Sequence, residues 1–201
     1  MSEALPDLLP SEAERALADS LSSLLADRGG LDKALARVES GETRFEVEEV
    51  PPAELLHDAE ENFREIARGH GIDLQIKNSP APEALPHVLA DREAIHQVFS
   101  NLIDNALKYG ASGGRITLGA RSAPHAVEFF VQDFGGGIAS EHLPRLFERF
   151  YRVDKARSRE SGGTGLGLAI AKHIMLAHGG SIRAESELAH GSTFLFTLPT
   201  A

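Results

Sequence analysis

The chain has 201 residues, of which 42% are hydrophobic and 25% are charged, and its formal net charge is −10 at pH 7. This composition is typical of a globular protein with about one domain, and the complete lack of cysteine excludes disulfides, zinc–thiolate sites and cysteine nucleophiles. The acidic balance disfavours nucleic acid, and no apolar run reaches the roughly 20 residues of a membrane span, so we expect a cytoplasmic chain that contacts neither, even if its parent protein is membrane-anchored.

Residues 1–41 have the pattern of a helical segment that is not stable by itself. Ser11 and Glu14 have the spacing of a capping box. Apolar residues at helical spacing then form two short stripes: Leu17, Leu21, Leu24 and Leu25, followed by Leu31, Leu35 and Val38. Helices this short are marginal in water, so the stripes must pack on the rest of the chain or on another helix.

The pattern of apolar residues over 42–201 predicts one domain in which strands and helices alternate. A helix opens at Pro51-Pro52 and runs to about residue 68, with four inward-facing side chains: Leu55, Leu56, Phe63 and Ile66. A strongly amphipathic helix covers 91–109, with an apolar face of Ile95, Val98, Phe99, Leu102, Ile103 and Ala106. The other predicted elements are strands at 45–48, 72–76, 115–120, 126–132, 181–187 and 192–198, and a helix at 167–178.

The order of these elements predicts a two-layer α/β sandwich, in which helices cover one face of a mixed, mostly antiparallel sheet. Residues 133–163 are irregular apart from one short helix expected near 141–150. Such a stretch is too long for a simple connection in a compact domain, so we interpret it as a functional lid.

The helix over 91–109 carries the first polar residues with a chemical use. Asn101 and Asn105 are four residues apart and share a face, and Lys108 follows almost one turn later. Uncharged amide oxygens beside a cation suit a magnesium ion and the phosphates that it carries. The alternative is that these side chains are only the solvated face of an amphipathic helix.

Two glycine-rich segments suit the two ends of a nucleotide. DFGGGI at 133–138 puts a carboxylate at a strand end, where it could accept a hydrogen bond from the exocyclic amine of adenine. GGTGLGL at 162–168 opens a helix, where backbone N–H groups and the helix N-terminus suit an anion. Between these segments, FERFYRVDKARSRE at 147–160 carries five cations, at Arg149, Arg152, Lys155, Arg157 and Arg159.

Together these segments resemble the catalytic, ATP-binding domain of bacterial sensor histidine kinases, within the Bergerat-fold ATPase superfamily. NLIDNALKY resembles the N box of that family, DFGGGI resembles its first glycine box, and LFERFYR resembles its F box. GGTGLGLAIAKHI resembles its second glycine box, and GSTFLFTLP resembles its last glycine stretch. The likeness extends from about Pro52 to Pro199 with all five motifs in order. It implies the Bergerat fold with a flexible ATP lid.

The resemblance implies ATP and Mg²⁺ as ligands and gives roles to individual residues. Asn105 would be the magnesium ligand, with Asn101 and Lys108 beside it at the metal–triphosphate. Arg152 is the leading candidate for a contact with the γ-phosphate. The other nucleotide-binding residues that the resemblance implies are Tyr109, Asp133, Gly135, Gly137 and Ile138 around adenine, Phe147 and Phe150 as lid anchors, Gly163, Thr164, Gly165, Leu166, Gly167 and Leu168 at the phosphate side, and Thr193 in the last strand.

Asn101 separates the relatives by chemistry. Superfamily members that hydrolyse ATP carry a glutamate general base one turn before the metal asparagine, and so do anti-sigma serine kinases. An amide cannot accept a proton from water or a hydroxyl group. The sequence therefore favours phosphoryl transfer to a nucleophilic histidine over hydrolysis, with catalysis by positioning and charge stabilisation.

The acceptor motif of the family, a histidine followed by an acid and then a proline, is absent from this sequence. Residues 11–41 resemble the second helix of a dimerisation hairpin without its acceptor helix, so we expect a fragment or a protein that acts on an acceptor in trans. The implied partners are a phosphoacceptor histidine domain and then a response regulator, and dimerisation would need the missing helix. The alternatives are a nucleotide-sensing module that transfers nothing and, disfavoured by Asn101, an ATPase.

Overall fold

The computed structural model describes residues 45–77, 81–153 and 164–201, which belong to one compact unit. The three helices are α1 (Pro52–Gly69), α2 (Arg92–Tyr109) and α3 (Gly167–Ala177). The strands are β1 (Glu48–Val50), β2 (Asp73–Ile76), β3 (Val88–Ala90), β4 (Arg115–Ala123), β5 (Ala126–Asp133), β6 (Ser181–Glu187) and β7 (Gly191–Pro199). Short 3-10 turns lie at Pro82–Ala84, Ala111–Gly113 and Leu143–Arg145.

The main sheet has five strands in the order β2-β4-β5-β7-β6. Only β2 and β4 pair in parallel, while the other neighbours are antiparallel. A second, two-stranded antiparallel sheet joins β1 to β3. These pairings confirm the predicted mixed, mostly antiparallel α/β sandwich.

The core lies between the helices and one face of the sheet. Phe99 of α2 meets the rings of Phe129 and Phe196 edge-on, with centroid distances of 6.1 and 5.2 Å, and all three rings are buried. The opposite face is polar near its centre, where Glu128 pairs with Arg121 of β4 and with Arg183 of β6. Among the described residues, helices cover one face of the sheet, and every apolar residue predicted for α2 is buried against that face.

A buried histidine joins the two helices that matter most for function. His178 follows α3, and its Nδ1 donates to the Ile174 carbonyl at 2.8 Å, which leaves Nε2 to accept the Asp91 N–H at 3.1 Å. The ring of Phe45 packs on the imidazole with a centroid distance of 4.8 Å. The Glu46 N–H donates to Asp91 Oδ2 at 2.7 Å, so the start of the described chain is attached to the N-terminus of α2.

Three expectations for individual elements were wrong. The strand expected at 45–48 begins at Glu48, and Val47 is 49% exposed. Ile66 is 47% exposed, because Ala59, Phe63 and Ala67 already occupy the inward face of α1.

The short helix expected near 141–150 is only the 3-10 turn Leu143–Arg145. Its N–H groups bond to carbonyls three residues back, and the chain leaves helical geometry at Phe150, where φ is +61°.

Some expectations lie outside the described residues. They are the helical segment at 1–41, the boundary at residue 42, and four residues between 154 and 163: Lys155, Arg157, Arg159 and Gly163. Within the part of the chain that is described, no helix is both long and apolar enough to cross a membrane.

Candidate nucleotide-binding site

Asn101 and Asn105, which we call the amide row, lie on α2 away from its buried face. The helix is capped by Asp91, whose side chain accepts a hydrogen bond from the Ala94 N–H at 2.9 Å. This cap suits an 18-residue helix, since it satisfies one of the free N–H groups of the first turn. Both amides are partly buried, and Lys108 is exposed.

The amide row lies against the first residue of α3. Asn101 Nδ2 donates to the Gln97 carbonyl at 3.0 Å, and Oδ1 is directed at Gly167. A Cβ on Gly167 would lie only 2.7 Å from this Oδ1 atom, so the Asn101 side chain could keep this position only beside a glycine. Two of the segments singled out in the sequence therefore meet, and a purely solvated face does not account for Asn101.

Asp133 ends β5 as a buried carboxylate and is only 5% exposed. It accepts a hydrogen bond from the Gly135 N–H at 2.9 Å. Burial raises the pKa of Asp133, while hydrogen bonds from Gly135 and from the backbone and hydroxyl of Ser192 act in the opposite direction. The carboxylate is thus oriented by its own turn and by the neighbouring strand β7.

The turn after Asp133 is packed from two sides so closely that side chains do not fit. A Cβ on Gly135 would lie 2.6 Å from Gly110 Cα and 2.9 Å from the Tyr109 carbonyl oxygen, both at the end of α2. Gly137 has φ +70°, and a Cβ there would overlap the Glu187 carbonyl oxygen. We call residues 133–138 the aspartate turn, and its shape is set by the end of α2 and by the β6–β7 turn.

Three residues beside Asp133 were missed by the sequence analysis. Gly110 and Gly191 lie so close to Asp133 that a Cβ on either would overlap it. Gly110 has an ordinary φ of −97°, so the requirement is steric, and a glycine after a helix gives no sign of such a contact. Ser192 pairs with Asp133 in the β5–β7 ladder.

Thr193 was expected at the nucleotide but is placed elsewhere. In the ladder it pairs with Gln132 and Glu185, and strand alternation turns it to the face opposite Asp133. The hydroxyl group beside the carboxylate belongs to Ser192 instead.

A main-chain hydrogen bond joins the two stretches of chain on either side of residues 154–163. The Phe150 N–H donates to the Gly165 carbonyl at 2.9 Å, and a Cβ on Gly165, where φ is +73°, would lie 2.9 Å from Phe150 Cα. The ring of Phe150 is 66% exposed, so Phe150 contacts Gly165 through its backbone and not by burial of its ring. Phe147 is partly buried.

Arg152 has hydrogen-bond donors without a partner. Its Nε and Nη2 atoms are inaccessible to solvent and bond to nothing within the described residues. Buried guanidinium donors normally meet an acceptor, because leaving them unpaired costs free energy. Arg152 follows by two residues Phe150, whose N–H donates to the Gly165 carbonyl.

The other predicted residues lie around these features. Tyr109 is at the end of α2, and its side chain is half exposed. The Ile138 N–H donates to Ser186 Oγ at 2.8 Å. Leu166 is buried before α3, and its N–H donates to Thr164 Oγ1 at 3.3 Å. Leu168 is partly buried in the first turn of α3.

Comparisons with known proteins identify the family of this chain. The sequence pattern of the family described as histidine kinase-, DNA gyrase B-, and HSP90-like ATPase matches residues 90–201. The sensor-like histidine kinase SenX3 of Mycolicibacterium smegmatis is 37% identical over 194 residues, which cover 96% of this chain and 49% of that protein. The sensor histidine kinase WalK of Bacillus subtilis is 46% identical over 126 residues, which cover 62% of this chain and 20% of that protein.

Solved structures give the same result. Full-length ShkA in complex with AMPPNP has a TM-score of 0.76 and 27% identity, and the match covers 97% of this chain and 41% of that one. The catalytic domain of histidine kinase ThkA has a TM-score of 0.64 and 31% identity, covering 78% of this chain and 97% of that one. The fold and the site thus define an ATPase domain of the histidine-kinase type.

The chain belongs to the family of histidine kinase-, DNA gyrase B- and HSP90-like ATPases, which confirms the resemblance read from its motifs. It spans about half of SenX3 and a fifth of WalK.

Proposed function

We propose that this chain binds Mg-ATP and donates the γ-phosphoryl group to a histidine of a separate phosphoacceptor domain, in two-component signalling with a response regulator downstream. The observation that carries the proposal is the contact between the amide row and the start of α3, at Asn101 and Gly167. It puts neutral oxygen ligands beside the backbone N–H groups of a helix N-terminus, which is the donor set that a metal-bound triphosphate needs.

The residues fit both ends of such a ligand. Asp133 supplies an oriented acceptor for the adenine amine at one end. The unpaired Nε and Nη2 donors of Arg152 supply positive charge for a terminal phosphate at the other. No group of three histidine, aspartate or glutamate side chains that could hold a metal occurs among the described residues, so the metal would rest on Asn105 and on phosphate oxygens.

Transfer to histidine is favoured over hydrolysis because Asn101 stands where a general base for hydrolysis would be needed. The bond between the γ-phosphorus and the bridging oxygen breaks, a bond from the γ-phosphorus to the acceptor imidazole nitrogen forms, and ADP leaves. Asn101 cannot take a proton from water, so hydrolysis has no general base at that position. A neutral imidazole is itself a nucleophile, and the roles left for this chain are to align the phosphate and to stabilise its charge. Bound Mg²⁺ would neutralise part of the triphosphate charge.

The structural comparison with ShkA supports nucleotide binding, since that protein was solved with AMPPNP. A second function, nucleotide sensing without transfer, would use the same nucleotide site and need no acceptor. The two functions differ in whether label moves from ATP to an added acceptor domain.

The test combines binding with transfer. Asn105→Ala should weaken Mg-ATP at least about tenfold, because it removes the proposed metal ligand. Asn62→Ala is the matched control, since Asn62 is an exposed helical asparagine on α1 whose Nδ2 donates to the Asp58 carbonyl at 2.8 Å.

Labelled ATP with an added acceptor-domain protein should give a labelled acceptor. Binding without transfer would support the sensing function, and steady phosphate release by the chain alone would support an ATPase. Normal binding and transfer by Asn105→Ala would overturn the metal assignment.

A further inference from the structure

Three side chains meet at Tyr151, the residue before Arg152. His142 Nδ1 and the Tyr151 hydroxyl are hydrogen-bonded at 2.8 Å. The guanidinium carbon of Arg145 lies 4.3 Å above the centroid of the Tyr151 ring, within the range of a cation–π contact. Arg145 is in turn held by an ion pair with Glu148, in which Nη2 and Oε2 are 3.0 Å apart. We call His142, Arg145 and Tyr151 the tyrosine clamp.

The fixed side of the clamp belongs to a segment that is tied to the sheet. The Ile138 N–H donates to Ser186 Oγ on β6 at 2.8 Å. The Ala189 N–H in the β6–β7 turn donates to the Gly136 carbonyl at 2.8 Å, and Leu146 is buried. His142 and Arg145 therefore lie on chain that is attached at several points, whereas Tyr151 lies where the chain enters the lid.

Two of the three guanidinium nitrogens of Arg152 provide no support for its position. Its Nε and Nη2 donors are buried and bond to nothing within the described residues, so no hydrogen bond from these atoms fixes the direction of the guanidinium group. The neighbouring backbone is fixed on one side by the Phe150 N–H bond to Gly165 and on the other by the side chain of Tyr151.

From this arrangement we propose that the tyrosine clamp positions Arg152 for the terminal phosphate of the nucleotide, so that His142, Arg145 and Tyr151 are positioning residues for discrimination between a triphosphate and a diphosphate. The proposal rests on the proposed function, since it deepens the role of Arg152 in the same site. A clamp with a purely structural role would affect both nucleotides equally, because adenine and the inner phosphates are common to ATP and ADP.

The affinity ratio of ATP to ADP separates these two roles. Calorimetric titration of the full 201-residue chain with Mg-ATP and with Mg-ADP would be made for wild type, Arg152→Ala, Tyr151→Phe and the double variant. Tyr151→Phe keeps the ring under Arg145 and removes only the hydroxyl group. We expect ADP affinity within about twofold of wild type throughout, and ATP affinity reduced about tenfold by Arg152→Ala and about threefold to fivefold by Tyr151→Phe.

The affinity of the double variant for ATP should be no lower than that of Arg152→Ala alone, because Tyr151 would act only through Arg152. His142→Ala should reduce ATP affinity as Tyr151→Phe does, and His142→Asn, which keeps a polar group near the Nδ1 position, should restore it. His57→Ala is the control, since His57 is an exposed histidine on α1. Circular dichroism of each variant checks that it has folded.

The failures are distinguishable. A wild-type chain that binds neither nucleotide overturns the proposed function and the clamp proposal together. If wild type binds both without preferring ATP, if Tyr151→Phe weakens ATP and ADP equally or changes neither, or if the losses in the double variant add up, the clamp proposal alone is overturned.

Discussion

Two parts of the candidate site are built in different ways. They are the aspartate turn and residues 150–152, which we call the lid base and propose to hold the opposite end of the nucleotide. The turn is buried and is packed against the end of α2 and the β6–β7 turn, and its carboxylate already has internal donors. The lid base has an exposed ring, two main-chain hydrogen bonds, and a guanidinium group with two donors that have no partner within the described residues. If the proposed roles hold, the end that recognises adenine is preorganised by the protein, while the end that holds the phosphates is completed by the ligand.

The largest effect is expected at the aspartate turn, from Gly137→Ala. The new Cβ would impose a left-handed conformation on alanine and would overlap the Glu187 carbonyl oxygen. The free energy of unfolding should fall by about 3 kcal/mol, measured by urea denaturation. Gly136→Ala is the matched control, because a Cβ there has no atom within 4 Å. Equal stability of the two variants would show that the turn is not closely constrained.

Asp133→Asn tests the recognising group itself. The Gly135 N–H and Ser192 both donate to this side chain, so an amide must turn its NH₂ group toward one of these donors or toward adenine. We expect a loss of about 2 kcal/mol in ADP binding, or roughly 30-fold in Kd. Asp73→Asn, at an exposed aspartate of β2, is the control. Unchanged ADP affinity in Asp133→Asn would remove Asp133 from the adenine site.

Acidification should weaken ADP binding, and the loss should begin at a higher pH than it would if Asp133 were exposed. Burial raises the pKa of Asp133 above its ordinary value of 3.8, and protonation removes the charge of the acceptor. Affinity should fall as the pH falls through this raised pKa, and the profile of Asp133→Asn should lack that step. Titrations from about pH 4 to about pH 7 check this, and identical profiles would contradict it.

Stability has the opposite dependence on pH. The folded state holds the proton of Asp133 more tightly than the unfolded state, so the contribution of Asp133 to stability is greatest below 3.8 and is lost as the pH rises through the raised pKa. Urea denaturation of wild type and Asp133→Asn over the same range measures the difference.

The smallest effect is expected at the lid base, from relief of the backbone at Phe150. With φ at +61°, Phe150→Gly should be more stable than Phe150→Ala by about 1 kcal/mol, although glycine usually lowers stability. The comparison isolates the backbone, since both variants lack the ring. Thermal unfolding measures it, and a more stable alanine variant would contradict the strained geometry.

The features that the sequence predicted well are local. The apolar face of α2 follows from helical periodicity, and all six of its predicted members are buried. The aspartate turn follows from glycine spacing after a strand. Gly110, Gly191 and Ser192 were missed because their importance depends on which distant segments touch Asp133.

The wrong placement of Ile66 has the same cause. Ile66 has an apolar side chain in a helical pattern, but Ala59, Phe63 and Ala67 fill the inward face of α1. Phe150, which the resemblance implied as a lid anchor, contacts Gly165 through its backbone while its ring is exposed, and the motif gives no sign of this arrangement. Periodicity describes one element at a time and contains no information on what covers it.

The contact of His178 with Asp91 also has a mechanical consequence. The 11 residues of α3 meet α2 at two points: Gly167 lies against Asn101 at one end, and the His178 imidazole accepts the Asp91 N–H at the other. At 1.5 Å per residue these two points are about 16 Å apart, at opposite ends of α3. Tilting of α3 against α2 would therefore either lengthen the His178–Asp91 hydrogen bond or separate Gly167 from Asn101.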